Sequence, residues 1–246
     1  MENSENVIFG IRAVLEALNA GAKISKVIVR QGLTGNLASE LMGILKHNNI
    51  PFQYLPNEAF SRYNDKNHQG VIAFTSPIEV YRIEDILPQL QEKTNSPFLL
   101  ILDRVTDVRN FGAIVRTAEC AGVDAIIVPA KGAANIGSDA IKTSAGALYN
   151  IPICRVGSLK MLCYQLRDYG YRIVSASERG EKLLYEANLT GPIAVVMGAE
   201  DTGIHPEVLR LSHEIVRIPL KGKIESLNVS VATGIVLFEA VRQRNL

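Results

Sequence analysis

The sequence predicts an α/β protein in two parts, a small N-terminal αβ unit and a larger parallel-sheet unit, and three observations carry the prediction. Beyond Phe98, apolar runs such as FLLILD, DAIIVP and IAVVMG alternate with segments of helical periodicity. Those runs are apolar residue after residue, as in strands covered on both faces, and helices between successive strands make such a sheet mostly parallel. Before Phe98 a compact αβαβ pattern ends near residue 74, and a stretch punctuated by Pro77, Pro88 and Pro97 follows. The expected division is 1–74, then a linker with a short helix over 75–96, then 97–246.

Each element has a local reason. GIRAVLEALNA (10–20) places Ile11, Val14, Leu15 and Leu18 on one helical face, and KVIVR (26–30) reads as a short strand. LASELMGILKH (37–47) is helical, FQYL (52–55) extended, NEAFSRY (57–63) helical and GVIAF (70–74) extended. In the second part, extended runs at 98–105, 124–129, 151–156, 171–177, 193–198 and 214–219 are separated by helical patterns at 111–122, 138–148, 159–170 and 205–212. The last helix begins where IPLKGKIESLNVSVATGIVLFEAV turns polar. Ser226 or Asn228 is the N-cap, and Val231, Ile235, Phe238 and Val241 recur at helical spacing as its buried stripe.

Composition narrows the function classes. Across 246 residues, Lys plus Arg number 26 and Asp plus Glu 25, so no global basic field marks a nucleic-acid binder and any RNA contact must come from a local patch. Cys120, Cys154 and Cys163 are odd in number and form no C-x-x-C, which predicts buried free thiols in a reducing, cytoplasmic compartment. The N-terminal residues MENSENVIFG lack a signal pattern, and no apolar run reaches the ~18 residues of a membrane span, so no membrane partner is expected.

Absent motifs exclude further classes. TDVRNFGA follows the first strand of the larger part where a dinucleotide site would carry G-x-G-x-x-G. GAANIGSD (132–139) spaces two glycines as a P-loop does but has Ser138 in place of the phosphate-binding Lys. There is no G-x-S-x-G elbow. His47, His68, His205 and His213 show no ligand spacing, so no metal is expected.

Three ordered stretches remain: LDRVTDVRNFGAIVRTAECAG (102–122), VVMGAEDTGI (195–204) and the loop into the last helix. Asn110, Gly112, Arg116 and Thr117 in the first, Gly198, Glu200 and Gly203 in the second, and Ser226, Leu227, Asn228 and Ser230 in the third resemble the motifs of the SpoU/TrmH family of RNA ribose 2′-O-methyltransferases, in the knotted SPOUT superfamily. Val108 stands where the family often has Pro, a difference that touches loop stiffness alone. The order of IFGIRAVLEAL, HQGVIAF and the three motifs looks most like the bacterial branch that modifies a guanosine ribose of 23S rRNA.

The resemblance implies a parallel-sheet catalytic domain with a C-terminal trefoil knot, S-adenosylmethionine as cofactor, rRNA as partner and a homodimer joined through the catalytic domain. Implied catalytic residues are Asn110, Arg116, Glu200, Ser226 and Asn228, and Val196, Met197, Gly198, Ile218, Leu220, Ser226 and Leu227 would surround the cofactor. Gly and small residues in those loops let backbone approach an adenosine closely. Arg116 would clamp the phosphate beside the target ribose, and Glu200 would orient Arg116 or accept the hydroxyl proton. The N-terminal unit, similar to small ribosomal RNA-binding domains, would capture RNA with Arg12, Lys66, Asn67, His68 and Gln69 as candidate contacts, alongside Arg116. A tRNA ribose methyltransferase and a non-catalytic RNA-binding or ribosome-assembly protein of the same fold are the alternative readings.

Overall fold

The computed structural model describes residues 7–19, 22–63, 66–75 and 78–244. They form two compact units, the first comprising residues 1–79 with 136–138 and the second 80–135 with 139–246.

The first unit is a four-stranded sheet of β1 (Val7–Phe9), β2 (Ile24–Arg30), β3 (Phe52–Leu55) and β4 (Val71–Thr75), in the order β1-β4-β2-β3. The two inner pairings of β4 are antiparallel, and β2 with β3 is parallel. Helices α1 (Ile11–Asn19) and α2 (Asn36–His47) close one core, in which Val14, Leu15, Leu41 and Leu45 pack on Val27, Val29, Val71 and Ala73. The expected helix over 57–63 is a 3-10 helix.

The second unit holds an eight-stranded sheet in which every pairing is parallel. In chain order its elements are β5 (Val80–Tyr81), α3 (Ile83–Lys93), β6 (Phe98–Asp103), α4 (Val108–Cys120), β7 (Ala125–Pro129), α5 (Ser138–Thr143), β8 (Ile153–Val156), α6 (Leu159–Asp168), β9 (Arg172–Ala176), β10 (Lys182–Leu183), β11 (Ile193–Gly198), α7 (Pro206–Leu211), β12 (Glu214–Arg217) and α8 (Val229–Arg244). The spatial order is β10-β12-β9-β11-β6-β7-β8-β5. From β6 the chain moves outward through β7 and β8, then crosses to β9 and fills the gap with β11, so the winding direction reverses between β6 and β11. In open parallel sheets that reversal leaves a crevice at the strands' carboxyl ends.

Both faces are covered, which is why the strands lack alternation. Leu99, Ile101, Ala125, Ile127, Ala194 and Val196 face a layer from α3, α6 and α7. Successive strand residues point to opposite faces, so Leu100, Ile126, Val195 and Met197 face the layer of α4 and α8. Those two helices also pack on each other, with Gly234 of α8 set against Thr117 of α4: a Cβ on the glycine would lie 3.6 Å from the Thr117 Cγ2. Gly112 permits a close approach of α4 to α5, since a Cβ would lie 1.9 Å from the Thr143 Oγ1.

Several expectations need correction. Residues 80–93 are not linker: Val80 and Tyr81 pair with β8, and α3 buries Ile83, Ile86, Leu87 and Leu90 in the α/β core. The helix expected over 138–148 ends at Thr143, because Ala145 and Gly146 adopt positive φ of 51° and 84°, and a 3-10 turn follows at Ala147–Tyr149. The stripe Val231, Ile235, Phe238, Val241 is not the buried face of α8; Val231 and Phe238 are 53% and 50% exposed. This helix is apolar nearly all round, so spacing alone could not choose the docked face. Cys120 is exposed, whereas Cys154 and Cys163 are buried as expected.

Two outcomes follow from this packing. Burial pushes the Cys154 thiol up to about 12 and the Cys163 thiol up to about 11, so both stay protonated and shielded near neutral pH. A disulfide exchange reagent at about pH 8 should titrate one thiol in the native protein and three after denaturation. Gly112→Ala, forced against Thr143, should destabilise by about 1–3 kcal/mol in urea unfolding, as overpacking of a buried contact does.

Candidate active site

The crevice at the carboxyl ends of β6 and β11 is where the three sequence motifs meet. β6 delivers the chain into α4, whose N-cap is Asp107; its Oδ1 accepts the Asn110 backbone N–H at 2.7 Å. That cap fixes the first helical turn and holds the Asn110 side chain at the sheet's edge. β11 ends at Gly198 and turns back at once, with the Gly203 N–H donating to the Ala199 carbonyl at 2.9 Å. Gly198 is needed for this fold-back, because a Cβ would lie 2.3 Å from the Gly203 carbonyl carbon and 2.4 Å from the Ile204 nitrogen. α8 begins at Asn228, whose Oδ1 accepts from the Ser230 N–H at 3.0 Å and the Val231 N–H at 3.4 Å.

Glu200, at the tip of the β11 turn, binds all three segments together. Its Oε1 accepts from Asn228 Nδ2 at 2.7 Å and from the Val229 N–H at 3.3 Å, and its Oε2 accepts from Asn110 Nδ2 at 3.4 Å. Asn228 Nδ2 also donates to Asn110 Oδ1 at 3.0 Å. A carboxylate therefore occupies the positive N-terminus of α8, where free backbone amides and the helix dipole favour negative charge. The sequence anticipates an anion at this helix start; the anion is the chain's own Glu200.

Beside this bracket lies a cleft floored by the ends of β9, β11 and β12. Met197, Gly198, Ala199, Gly203 and Ile204 line one side, Ile218, Leu220, Ser226 and Leu227 another, and Ala176, Ser177 and Glu178 a third, with Val229 and Ala232 of α8 behind them. The lining is apolar and small in its interior, with the carboxylates of Glu178, Glu200 and Glu225 also contributing. Such a surface suits a flat, partly apolar ligand bearing positive charge.

Of the sequence-designated cofactor residues, Met197, Gly198, Ile218, Leu220, Ser226 and Leu227 line the cleft. Val196 does not: strand alternation turns it to the opposite face, where it is fully buried in the α3–α6 core. Asn110, Glu200 and Asn228 are brought together, and Ser226 lies at the cleft. Arg116 stands apart, exposed on the third turn of α4 and outside the cleft lining. Glu200 does not orient it, since the carboxylate's described partners are Asn110, Asn228 and Val229. Sequence reasoning missed Ser177, Glu178 and Glu225. The position of Ser177 and Glu178 just past a parallel strand was the available signal, because the loops at that end carry the site in such sheets.

In the first unit, Arg12 is exposed on α1, and Gly10, two residues earlier, lies against Asn67 and Gln69: a Cβ there would be 3.1 Å from the Asn67 carbonyl oxygen and 3.5 Å from Gln69 Oε1. Asn67 and Gln69 thus lie beside the turn that leads into α1. His68 is structurally engaged, its ring stacked 5.0 Å from the Phe60 ring and its Nδ1 accepting the Gly70 N–H at 3.0 Å. Among the described residues no group of His, Cys, Asp or Glu could hold a metal ion, and no helix is long and apolar enough to cross a membrane.

A doubly covered parallel sheet with its cleft at the point of strand reversal, closed by a capped C-terminal helix, is the class of α/β protein defined here. The chain belongs to the SpoU rRNA Methylase family, which it matches over residues 97–238; residues 7–81 match the family described as RNA 2'-O ribose methyltransferase substrate binding. It is 38% identical over 241 residues to the 23S rRNA (guanosine-2'-O-)-methyltransferase RlmB of Escherichia coli K12, covering 97% of this chain and 99% of that protein. With the RlmB of Photobacterium profundum it shares 38% identity over 245 residues, 99% of this chain and 100% of the relative. Its fold resembles the AdoMet-bound rRNA methyltransferase from Sinorhizobium meliloti with a TM-score of 0.62 and 26% identity, across 96% of this chain and 86% of the other.

The bracket can be separated from the cap. Asn228→Asp keeps the oxygen that caps α8 but sets a second carboxylate against Glu200, where the amide now donates at 2.7 Å. Two adjacent carboxylates raise the pKa of one above its unfolded value near 4, so the variant's penalty is full at neutral pH and shrinks as pH falls through the raised value. The stability gap between wild type and variant in urea should therefore be largest at about pH 8 and narrow towards about pH 4.5.

Proposed function

We propose that this chain transfers the methyl group of S-adenosylmethionine to a ribose 2′-hydroxyl of RNA, acting on a guanosine of 23S rRNA. The observation that carries the reading is the Glu200 bracket, which joins residues 28 and 90 positions away in sequence directly beside a cleft lined by small and apolar residues. Near-complete coverage by the two RlmB relatives, whose names state that reaction, supports the substrate class.

The cleft fits the cofactor on its own chemistry. Gly198 lets the turn fold back on itself so that its backbone lines the cleft, Met197, Ile218, Leu220 and Leu227 offer apolar surface, and Glu178 and Glu225 supply negative charge to a cation. Bound there, S-adenosylmethionine supplies an electrophilic methyl group on sulfur. The chain's part is to hold the ribose hydroxyl in line with it, which is where much of the rate in such a displacement arises. Asn228, held by Glu200, fixes the Asn110 side chain, whose remaining amide N–H orients a ribose oxygen, and Ser226 serves the cleft side. Arg116 presents a planar guanidinium with five donors and no acceptor, so it acts as an electrophilic clamp on the flanking phosphate and on the developing alkoxide, not as a base. Glu200 is the carboxylate at this junction able to take the hydroxyl proton.

The first unit captures RNA through Arg12 and the segment Lys66–Gln69. The C-terminal segments thread as the family's trefoil knot, and two copies pair through the catalytic unit, covering Val231 and Phe238. The protein works in the cytoplasm, where its rRNA substrate lies.

The decisive assay incubates the protein with methyl-labelled S-adenosylmethionine and rRNA from a strain lacking the gene, then hydrolyses the RNA in alkali. A 2′-O-methyl group removes the nucleophile that alkali uses, so label is expected in a resistant dinucleotide containing methylated guanosine; label in mononucleotides would mean base methylation and refute the reading. Arg116→Lys should lose about 100-fold in turnover while binding the cofactor normally, because a point charge replaces a bidentate fork. Light scattering should give a mass near twice 26.9 kDa.

A further inference from the structure

Gly198, Ala199, Glu200, Gly203 and Ile204 all line the cleft and belong to one turn, whose tip over Glu200, Asp201 and Thr202 is exposed while Ile204 is buried. Two neighbouring residues at the end of β6 hold its base. Asp103 is 2% exposed, and its Oδ2 accepts the His205 N–H at 2.6 Å. Its Oδ1 accepts from Arg104 Nε at 2.9 Å, and Arg104 Nη2 reaches on to the Gly203 carbonyl at 3.1 Å. The buried carboxylate thus has a cation beside it, and both flanks of Ile204 are tied to β6 by charge-assisted bonds, which are about twice as strong as neutral ones.

Arg104 makes these contacts from a backbone position that disfavours it. Its φ is 62°, in the left-handed region where glycine is at ease and other residues are strained. Such a conformation persists in a non-glycine residue when its surroundings over-determine it, and strain of this kind collects at functional sites. No part of the proposed chemistry touches Arg104, so the side chain's return for that conformation is the clasp on Gly203.

We propose that Arg104 is a positioning residue that, through Asp103 and the Gly203 carbonyl, sets the 198–205 turn in the shape that binds the cofactor and presents Glu200. This rests on the methyltransferase reading for the identity of the ligand, while the clasp itself is independent of it. Loosening the turn frees the cleft floor and the tip that meets Asn110 and Asn228 at once, so cofactor affinity and turnover fall together.

The test compares the full chain with Arg104→Gly and Arg104→Lys. Glycine accepts the backbone conformation and deletes both side-chain bonds; lysine retains the charge beside Asp103. In Arg104→Gly, amide hydrogen exchange should quicken over 199–205 with protection of β6 and β11 unchanged, and S-adenosylmethionine should bind about ten-fold more weakly in calorimetry, the loss expected of a charged hydrogen bond. Arg104→Lys should recover part of both effects. Unchanged exchange over 199–205 overturns the clasp. Faster exchange with wild-type affinity and turnover overturns the positioning role, and so does a loss of protection spread across the whole sheet. Failure of the wild-type chain to bind S-adenosylmethionine would instead refute the methyltransferase reading, and the exchange arm would then decide the clasp alone.

Discussion

The site depends on one carboxylate held at the start of one helix. Glu200 takes the Val229 N–H and the Asn228 and Asn110 amides, so the turn after β11, the first turn of α4 and the N-terminus of α8 share a single anchor. Each partner is separately fixed. Asn110 sits in a turn capped by Asp107, and Asn228 spends its oxygen on capping α8 and its nitrogen on Glu200 and Asn110. Because the Asn228 amide serves helix and bracket together, the register of α8 and the geometry of the site cannot vary independently. Polar groups that satisfy one another in this way make a unique arrangement, at the cost of large penalties when one member is lost.

That anchor lies where the sheet's winding puts it. Strand order reverses between β6 and β11, so the helices leaving these neighbours go to opposite faces and their loops part. Glycine fills the part of the crevice that must be tightest: Gly198 allows the chain to fold back on itself, and Gly112 lets α4 meet α5 beneath. The far end of α8 is pinned as well. Gln243 accepts the Leu189 N–H and donates to the Ala187 carbonyl, and Arg244 donates to the Gly191 and Ser96 carbonyls while lying over the Phe98 ring. A helix fixed at both ends transmits the position of the sheet's lower edge to the site at its upper edge.

The sequence made the parallel sheet legible because strands buried on both faces are apolar without a break, and β6, β7 and β11 stand out for that reason. It also made the Asn228 cap legible, since a short polar run before an apolar helix has few other meanings. The two-residue strands β5 and β10 were not legible, being too short for any periodicity, and their partners lie more than thirty residues away in the chain. Val196 shows a different limit. In a strand apolar at every position, composition cannot say which residue faces the cleft and which the opposite core; only the register against α4 and α8 decides it. Glu178 and Arg104 were hidden because each looks like an ordinary surface charge until the strand order brings its loop beside another.

α8 carries the same ambiguity further. Thr233, Val236, Leu237 and Ala240 dock it on its own unit, which leaves Val231 and Phe238 about half exposed on the other side. Isolated exposed apolar residues need no explanation, but these two stand on a helix that is buried elsewhere. Val231 is three residues beyond Asn228, and its own N–H is one of those the Asn228 oxygen caps. Anything that covers Val231 therefore presses on the first turn of α8 and on the bracket that turn holds. In the proposed homodimer, covering this face would stiffen the turn that holds Asn228 against Glu200. Pairing and site geometry would then be coupled through one helical turn, without any residue having to cross from one copy to the other.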